Sequence, residues 1–256
     1  QLSHFNKIGE VNFRASGNFM FARNKVLFMD ETPWGEGHEY MNETGGPMGA
    51  GLQYRAIGIF RDQAALDSYP HLDAARPGDL IFEDVDGDGK ITSLDRVRQN
   101  LTGFPEIIFG LNLSADWKNF DISVLFQGQA RAVKDVISRM DATSNFYKWR
   151  AEDRWTEDNI DGTMPRAGGT INYGVENPCS FWTQNASFVR LKNLEIGYTL
   201  PNLWFNKLRI SNCRVYLSGQ NLFTLDHIKY VDPEGSGEGS YYPQMRIFNI
   251  GCNLTF

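Results

Sequence analysis

The sequence predicts an all-β fold, a portion of a transmembrane antiparallel β-barrel, and three observations point to it. Six segments alternate apolar and polar residues with a period of two. Short and long connections follow each other in turn along the chain. The chain also ends on an alternating segment whose last residue, Phe256, is aromatic. Barrel strands place lipid-facing and lumen-facing side chains at alternate positions, so a barrel wall is expected to have this pattern.

The alternation is clearest in Glu106–Trp117, where the odd positions are apolar and the even positions are mostly polar. A tight turn at Lys118 and Asn119 joins it to a second alternating segment, which indicates an antiparallel hairpin. The segments run about ten to thirteen residues, the length that a tilted strand needs to cross a bilayer. The six predicted strands are Val11–Ala22, Glu106–Trp117, Phe120–Ala130, Phe188–Leu200, Cys213–Thr224 and Arg246–Phe256.

The lengths of the connections predict which end of the barrel each one occupies. Outer-membrane barrels have short periplasmic turns and long extracellular loops. With Phe256 on the periplasmic side, strand parity places every long connection outside. Residues 23–105 are therefore predicted to form one extracellular excursion, with a small hairpin around Gln53–Phe60. The short connections lie at 118–119 and about 201–212, and the long ones at about 23–105, 131–186 and 225–243.

Composition excludes several other classes. The 256 residues are 41% hydrophobic and 22% charged, with a formal net charge of −6. Such a chain is too apolar for disorder and too acidic for a nucleic-acid-binding surface, so no nucleic-acid partner is expected. No apolar run approaches the roughly 18 residues of a membrane-spanning helix. The acidic residues form no spaced pair with a nucleophile or base, which argues against an enzyme.

One motif carries specific chemistry, because Asp84–Asp95 matches the twelve-residue calcium loop of an EF-hand. Carboxylates occupy loop positions 1, 3 and 5, a glycine at position 6 permits the sharp turn, and an acid closes the loop at position 12. Calcium binds six to eight hard oxygen ligands, and this spacing wraps them around one ion. The predicted ligands are the carboxylates of Asp84, Asp86, Asp88 and Asp95 and the backbone carbonyl of Lys90.

Two departures from an EF-hand qualify this motif. Position 12 is Asp95 rather than a glutamate, so bidentate capture of the ion is less assured. The residues before the loop are predicted to be extended, whereas a helix capped by Thr92 or Ser93 is predicted to follow it. We therefore expect a structural calcium clip on an outer loop rather than a sensor, with a metal-free Asx/Gly turn as the alternative.

An ordered set of motifs resembles the C-terminal part of SusC/RagA-type TonB-dependent outer-membrane transporters of Bacteroidetes. The resemblance extends over nearly the whole chain, and it is weakest before Asn24 and in 30–48. Any one of the motifs would be weak evidence, but their order is specific. They are Arg55–Phe60, Pro77–Leu80, Asp84–Asp95, Arg154–Thr156, Ser187–Leu194, Gly197–Pro201, Val215–Phe223 and Tyr242–Gln244, followed by the last strand.

The resemblance implies a 22-strand barrel in the bacterial outer membrane, plugged by an N-terminal domain and capped by a SusD-like surface lipoprotein. It also implies import of oligosaccharides or peptides, driven by TonB–ExbB–ExbD through an N-terminal part outside this sequence. Six strands cannot close such a barrel in lipid, so residues 1–256 are expected to be a segment that pairs with the rest of the same barrel. We expect no plug domain and no signal peptide within it.

Two questions remain open at this point. A secreted, soluble, calcium-stabilised β-rich binding or adhesion protein would show a similar alternation, and it is the alternative function. Aromatic residues of the loops could stack on sugar rings or contact the lid protein, but membrane-interface belts and packing within the loops explain them as well. No substrate-binding residue is therefore assigned among Trp34, Tyr40, Trp149, Trp155, Trp182, Tyr241 and Tyr242.

Overall fold

A computed structural model describes residues 1–136, 148–169, 171, 173, 176–201, 210–229, 231–235 and 244–256. Its strands are β1 (Leu2–Ile8), β2 (Val11–Phe21), β3 (Leu52–Tyr54), β4 (Ala56–Ile59), β5 (Leu80–Phe82), β6 (Arg96–Arg98), β7 (Ile107–Trp117), β8 (Phe120–Ala130), β9 (Val133–Asp135), β10 (Thr183–Asn185), β11 (Phe188–Thr199), β12 (Asn212–Asp226) and β13 (Ile247–Thr255). Two short α-helices, α1 (Gln63–Asp67) and α2 (Lys148–Glu152), and two 3₁₀ turns, Glu39–Met41 and Ser93–Asp95, complete the described elements.

The long strands form one seven-stranded antiparallel sheet in the order β1-β2-β7-β8-β11-β12-β13. All six predicted strands are present in it, so the predicted fold class is confirmed. The additional strand is β1, which pairs with β2 through a turn at Gly9, whose φ is +61°. Its apolar residues Leu2, Phe5 and Ile8 recur every third position rather than every second, which hid the strand from the alternation pattern.

The sheet has one apolar face and one polar face, because facing residues of neighbouring strands keep the same character. One row of paired residues crosses six strands and is entirely apolar, whereas the adjacent row is polar and faces the other way. Much of the apolar row is exposed, and Ile250 reaches 83%. The apolar row is Phe13, Ala115, Ile122, Ile196, Leu217 and Ile250, and the polar row is Arg14, Ser114, Ser123, Glu195, Ser218 and Asn249.

A pair of bulges preserves this alternation in the middle of the sheet. The register shifts between Leu191 and Asn193 in β11, against both neighbouring strands. In β12 the matching irregularity falls at Asn221, which takes a left-handed φ of 53°. Asparagine tolerates that conformation better than most residues do, which explains its use at a bulge.

The described parts of the three long connections, 22–106, 131–187 and 227–235, fold together as one unit, which we call the loop module. Its two-stranded sheets pair β3 with β6, β4 with β5, and β9 with β10. One buried cluster draws on all three connections, so none of them folds as an independent loop. The cluster comprises Tyr54, Ile59, Leu80, Phe82, Ile91, Val136, Cys179, Trp182 and Ile228.

Two local predictions within the first connection are wrong. No hairpin forms around Gln53–Phe60, because β3 and β4 each pair with a later strand, and Tyr54 also bonds to the second connection at Pro178 and Ser180. No helix follows the acidic loop either. A 3₁₀ turn, Ser93–Asp95, leads directly into β6, where Val97 is buried. In both places pairing with distant residues overrides the local signal.

Most of the predicted connection at 201–212 lies outside the described residues. Neither of the described α-helices is long and apolar enough to cross a membrane.

Candidate functional site

Three of the predicted calcium ligands lie together at the start of the acidic loop. Asp84, Asp86 and Asp88 each offer a carboxylate oxygen, and these oxygens lie within 4.8 Å of one another. Such spacing is compatible with a shared cation, since Ca²⁺ accepts oxygen ligands at about 2.3–2.6 Å. The donor set, three carboxylates, is also the hard oxygen chemistry that calcium prefers.

Backbone hydrogen bonds shape this part of the loop. Asp84 accepts the N–H groups of Gly87 at 2.8 Å and Gly89 at 2.9 Å, and both glycines have positive φ. Asp88 accepts the N–H of Lys90 at 2.8 Å. These Asx turns curl the chain around the carboxylates, which is why acids and glycines alternate here. The predicted ligand of Lys90 is its backbone carbonyl, and its side chain is exposed.

Asp95 has a different role from the other acids of the loop. Its side chain is fully buried and lies outside the three-carboxylate group. One oxygen accepts the N–H of Val85 and the other that of Thr92, both at 2.7 Å. Thr92 in turn caps the 3₁₀ turn, so the pair forms a capping box. Asp95 therefore joins the beginning of the loop to its end.

His38 and Tyr40 border the acidic loop, a position that the sequence did not predict for either residue. The His38 Nε2 atom lies 3.4 Å from Asp86 Oδ2, and the Tyr40 hydroxyl donates to the carbonyl of Leu94 at 2.7 Å. Burial, with Asp86 and Asp95 nearby, raises the pKa of the Tyr40 phenol. These contacts join residues 48 and 54 positions apart, so no local pattern could have revealed them.

The motif Pro77–Leu80 is a structural centre of the loop module. Gly78 has φ +90°, and the ring of Trp155 packs where a Cβ atom would stand. Asp79 is buried and accepts the N–H of Arg76 at 2.9 Å and the hydroxyl of Tyr173 at 3.1 Å. Burial raises the pKa of Asp79. Trp155, one of the loop aromatics that the sequence singled out, thus serves packing.

Among the described residues, two ionic groups lie where the loop module meets the sheet. Glu106 accepts from Arg23, at 2.9 and 2.7 Å, and from Arg131, at 2.5 Å, where β2, β7 and β8 end or begin. Arg190 of β11 is only 2% exposed and binds Asp232 and Glu234 of the third connection. Both groups fix where the long connections leave the sheet.

The sequence is similar to curated TonB-dependent receptors. TonB-dependent receptor P26 of Formosa agariphila is 31% identical over 232 residues, which cover 82% of this chain and 22% of that protein. TonB-dependent receptor SusC of Bacteroides thetaiotaomicron is 26% identical over 231 residues, which cover 87% of this chain and 22% of that protein. No protein-family profile matches the sequence.

The fold is similar to that of solved RagAB structures. The RagAB peptide transporter matches with a TM-score of 0.72 at 24% identity, over 99% of this chain and 28% of that chain. The RagAB peptide importer in its "open-open" state matches with a TM-score of 0.70, also at 24% identity and over the same shares of both chains. The chain thus spans about a quarter of the length of the proteins it matches.

The sheet and these relatives together identify the chain as a segment of a TonB-dependent receptor, a class of β-barrel proteins of the Gram-negative outer membrane. With SusC among its sequence relatives and RagAB sharing its fold, the segment is of the SusC/RagA type. The predicted family and the predicted outer-membrane location are confirmed. The apolar face of the sheet is accordingly the side that meets lipid, and the polar face lines the lumen.

The relatives are named as receptors and the structural neighbours as transporters, not enzymes. These names support a role without catalysis. They also favour the interpretation of this chain as a receptor segment over the alternative of a secreted, soluble adhesion protein.

Proposed function

We propose that this segment supplies part of the wall and of the extracellular face of an outer-membrane nutrient importer. The observation that carries the proposal is the sheet with one exposed apolar face, together with relatives that are TonB-dependent receptors. The substrate is an oligosaccharide or a peptide. SusC among the relatives is compatible with either, and the RagAB neighbours are named as peptide importers. The rest of the same barrel pairs with the open edges of β1 and β13.

Two partners belong to this proposal. A SusD-like surface lipoprotein covers the extracellular face, where the loop module presents most of its surface. TonB, ExbB and ExbD supply energy through a part of the receptor that precedes this segment. The pairing of two proteins in the name RagAB supports the first partner, and the class name of the relatives supports the second.

Deleting the gene of the full-length receptor in its native host tests the importer. We expect growth to fail on one class of nutrient, with peptides and individual glycans supplied separately as sole carbon sources. Growth is expected to return with the intact gene and not with a receptor whose TonB-contacting segment is deleted. Unchanged growth and uptake on every glycan and peptide would contradict the proposal.

We also propose that the loop Asp84–Asp95 binds Ca²⁺ as a structural clip. The grouping of three carboxylate oxygens within 4.8 Å supports it. The bound ion would neutralise the mutual repulsion of these acids and hold the loop on the module. Extracellular calcium modules of this kind have dissociation constants on the order of 0.1–1 mM.

Isothermal titration of the purified full-length receptor with CaCl₂, after removal of metal with EDTA, tests the clip. The double variant Asp84→Asn with Asp88→Asn is expected to lose one binding event with a dissociation constant on the order of 0.1–1 mM. The matched control is Asp67→Asn, which removes an exposed acid of α1 outside the loop. Equal heats of calcium binding for the wild type and the double variant would contradict the proposed calcium site and leave the importer proposal unaffected.

A further inference from the structure

The loop module contains a pocket of about 280 Å³ where the second and third connections meet. Aromatic side chains from the second connection supply its apolar surface, and His227 and Lys229 from the third connection lie at its exposed rim. Ligand pockets usually hold about 300–1,000 Å³. This one therefore has room for a single ring-sized group of a larger molecule.

The apolar surface is held rigid by its own packing. Phe181 and Trp182 meet edge to face, with ring centroids 4.8 Å apart, and Trp182 is only 4% exposed. Trp149 and Met164 complete this surface. Trp149 and Phe181, which are only half-buried, are therefore the rings that remain to contact a ligand. Aromatic faces fixed by packing bind the C–H surface of a sugar ring at little entropic cost.

The polar rim offers mainly hydrogen-bond donors and a positive charge. The side-chain oxygen of Gln184 accepts the backbone N–H of Lys229 at 2.8 Å, which leaves its amide N–H groups without an acceptor in the described residues. The ammonium of Lys229 has no carboxylate partner there either. Thr163 donates to Asp153 at 2.6 Å, and that acid is not among the lining residues described.

The two walls of the pocket are tied together before any ligand binds. Lys134 of β9 donates to the carbonyls of Asp232 and Pro233 in the third connection, at 3.0 and 3.2 Å. The Gln184–Lys229 bond adds a contact at the rim itself. A pocket whose walls are already fixed loses little conformational entropy when it closes on a ligand.

We propose that this pocket binds one anionic sugar ring, a uronate or a sulfated hexose, of the imported molecule. The inference rests on the proposed importer and names its substrate class. The ring would stack on the aromatic surface, while its carboxylate or sulfate accepts from Lys229 and Gln184. A neutral peptide segment would offer Lys229 only uncharged carbonyl acceptors, whereas a carboxylate or sulfate also neutralises the charge of the ammonium.

Titration of the purified full-length receptor in detergent tests the pocket. The probes are tetragalacturonate, a sulfated neocarratetraose, neutral maltotetraose and the tetrapeptide Ala-Ala-Ala-Phe. At least one anionic saccharide is expected to bind ten times more tightly than maltotetraose, with the advantage shrinking at 0.5 M NaCl. Comparing tetragalacturonate with the sulfated neocarratetraose distinguishes recognition of a carboxylate from recognition of a sulfate.

Two variants locate the binding in this pocket. Lys229→Met is expected to weaken the anionic saccharide about tenfold, whereas Lys229→Arg retains most of the affinity. Trp149→Ala is expected to weaken anionic and neutral saccharides alike. The matched control is Lys25→Met, which removes an exposed lysine of the first connection that does not line this pocket. Heat-modifiable mobility on a gel shows that each variant has folded.

Several results would contradict the proposal that this pocket binds an anionic sugar ring. They are equal binding of maltotetraose with no effect of Lys229→Met, preferential binding of the peptide, and no binding of any saccharide to the wild type. Growth of the host that lacks the receptor gene distinguishes a wrong proposal for the pocket from a wrong proposal for the importer. A deletion that abolishes growth, combined with unchanged binding by Lys229→Met, contradicts the pocket alone. A deletion that changes no growth or uptake contradicts the importer.

Discussion

At the scale of a single residue, Asp95 holds the two ends of the acidic loop together. Replacing it by alanine leaves the partly buried N–H groups of Val85 and Thr92 without this acceptor. We expect the loop to lose about 2–4 kcal/mol of local stability, even when EDTA has removed all metal. Hydrogen exchange of residues 84–95 in the full-length receptor measures this loss.

Asp88→Asn is the matched control for that change, because Asp88 is exposed and contacts only the neighbouring backbone. It is expected to alter calcium binding while leaving exchange in EDTA nearly unchanged. If both variants affect exchange in EDTA equally, Asp95 has no special structural role.

Gly78 shows a second residue-scale constraint, in which backbone and packing act together. Alanine at this position would adopt a left-handed φ near +90°, and its Cβ would lie 2.3 Å from the Trp155 ring. Gly49 has a similar φ of +78° with nothing within 4 Å, so Gly49→Ala reports the backbone strain alone.

We expect Gly49→Ala to lower the local stability of the loop module by about 1 kcal/mol. Gly78→Ala should lower it by at least about 2 kcal/mol more, because the ring must also move. Tryptophan fluorescence during denaturant titration of the full-length receptor reports the difference. Equal effects of the two substitutions would show that Trp155 does not depend on the glycine.

At the scale of an element, Arg190 fastens the third connection to β11. The guanidinium bonds to both oxygens of Asp232, at 2.9 and 2.8 Å, and to Glu234 at 2.6 Å. Arg190→Met removes one side of a buried ion pair and leaves Asp232 without a cation, whereas Glu234 keeps its pair with Lys192 at 2.8 Å. Removing one partner of a buried pair costs about 3–5 kcal/mol. Hydrogen exchange of residues 227–235 is expected to accelerate about 100-fold or more.

Arg246→Met serves as the control for Arg190→Met, since Arg246 is an exposed arginine beyond the same connection. Its exchange pattern should match that of the wild type. Slow exchange of residues 227–235 in Arg190→Met would mean that other contacts, such as those of Lys134, are enough to hold the connection.

Glu106 ties together the ends of three strands, and this contact predicts a pH dependence. Arg23 and Arg131 hold the pKa of the Glu106 carboxyl at about 2, below its ordinary value of 4.5. Because the folded pKa is the lower one, the carboxylate stabilises the fold fully above about pH 4.5. That stabilisation is lost as the pH falls from 4.5 towards 2.

Denaturant midpoints of wild type and Glu106→Gln measure this effect across pH. Their difference should be constant from pH 8 to 5, shrink below pH 4.5 and vanish near pH 2. Glu10→Gln, which removes an exposed pair with Lys118, should change the midpoint little at any pH. A difference that does not change with pH would show that Glu106 acts through packing alone.

At the scale of the whole molecule, the wall was predictable and the loop module was not. A period of two reports directly which side of a sheet a residue faces, so the strands from Val11 onward could be read from the sequence. The loop module depends on contacts between distant residues, such as the bridge between Tyr54 and Cys179. The candidate calcium ligands were visible because one loop contains them all, whereas His38 was not, because it reaches Asp86 from 48 residues away.

The two faces of the wall make opposite predictions for neighbouring residues. Ile250 faces lipid in a row with Leu217, and Asn249 faces the lumen in a row with Ser218. A lysine on the lipid face costs about 2–4 kcal/mol near the middle of the bilayer, and less towards its surfaces. Ile250→Lys should therefore destabilise the full-length receptor by about 2 kcal/mol. Asn249→Lys places the same charge one residue away, against the aqueous lumen, and should change stability little.

Urea unfolding of the receptor in lipid vesicles, followed by heat-modifiable mobility, compares these two variants. Only Ile250→Lys is expected to lower the unfolding midpoint, and in detergent micelles, which deform around a charge, the difference should shrink. If Asn249→Lys proved the more damaging, the faces would be reversed. Because every strand is paired in register, such a reversal would exchange the lipid-facing and lumen-facing sides of the entire sheet.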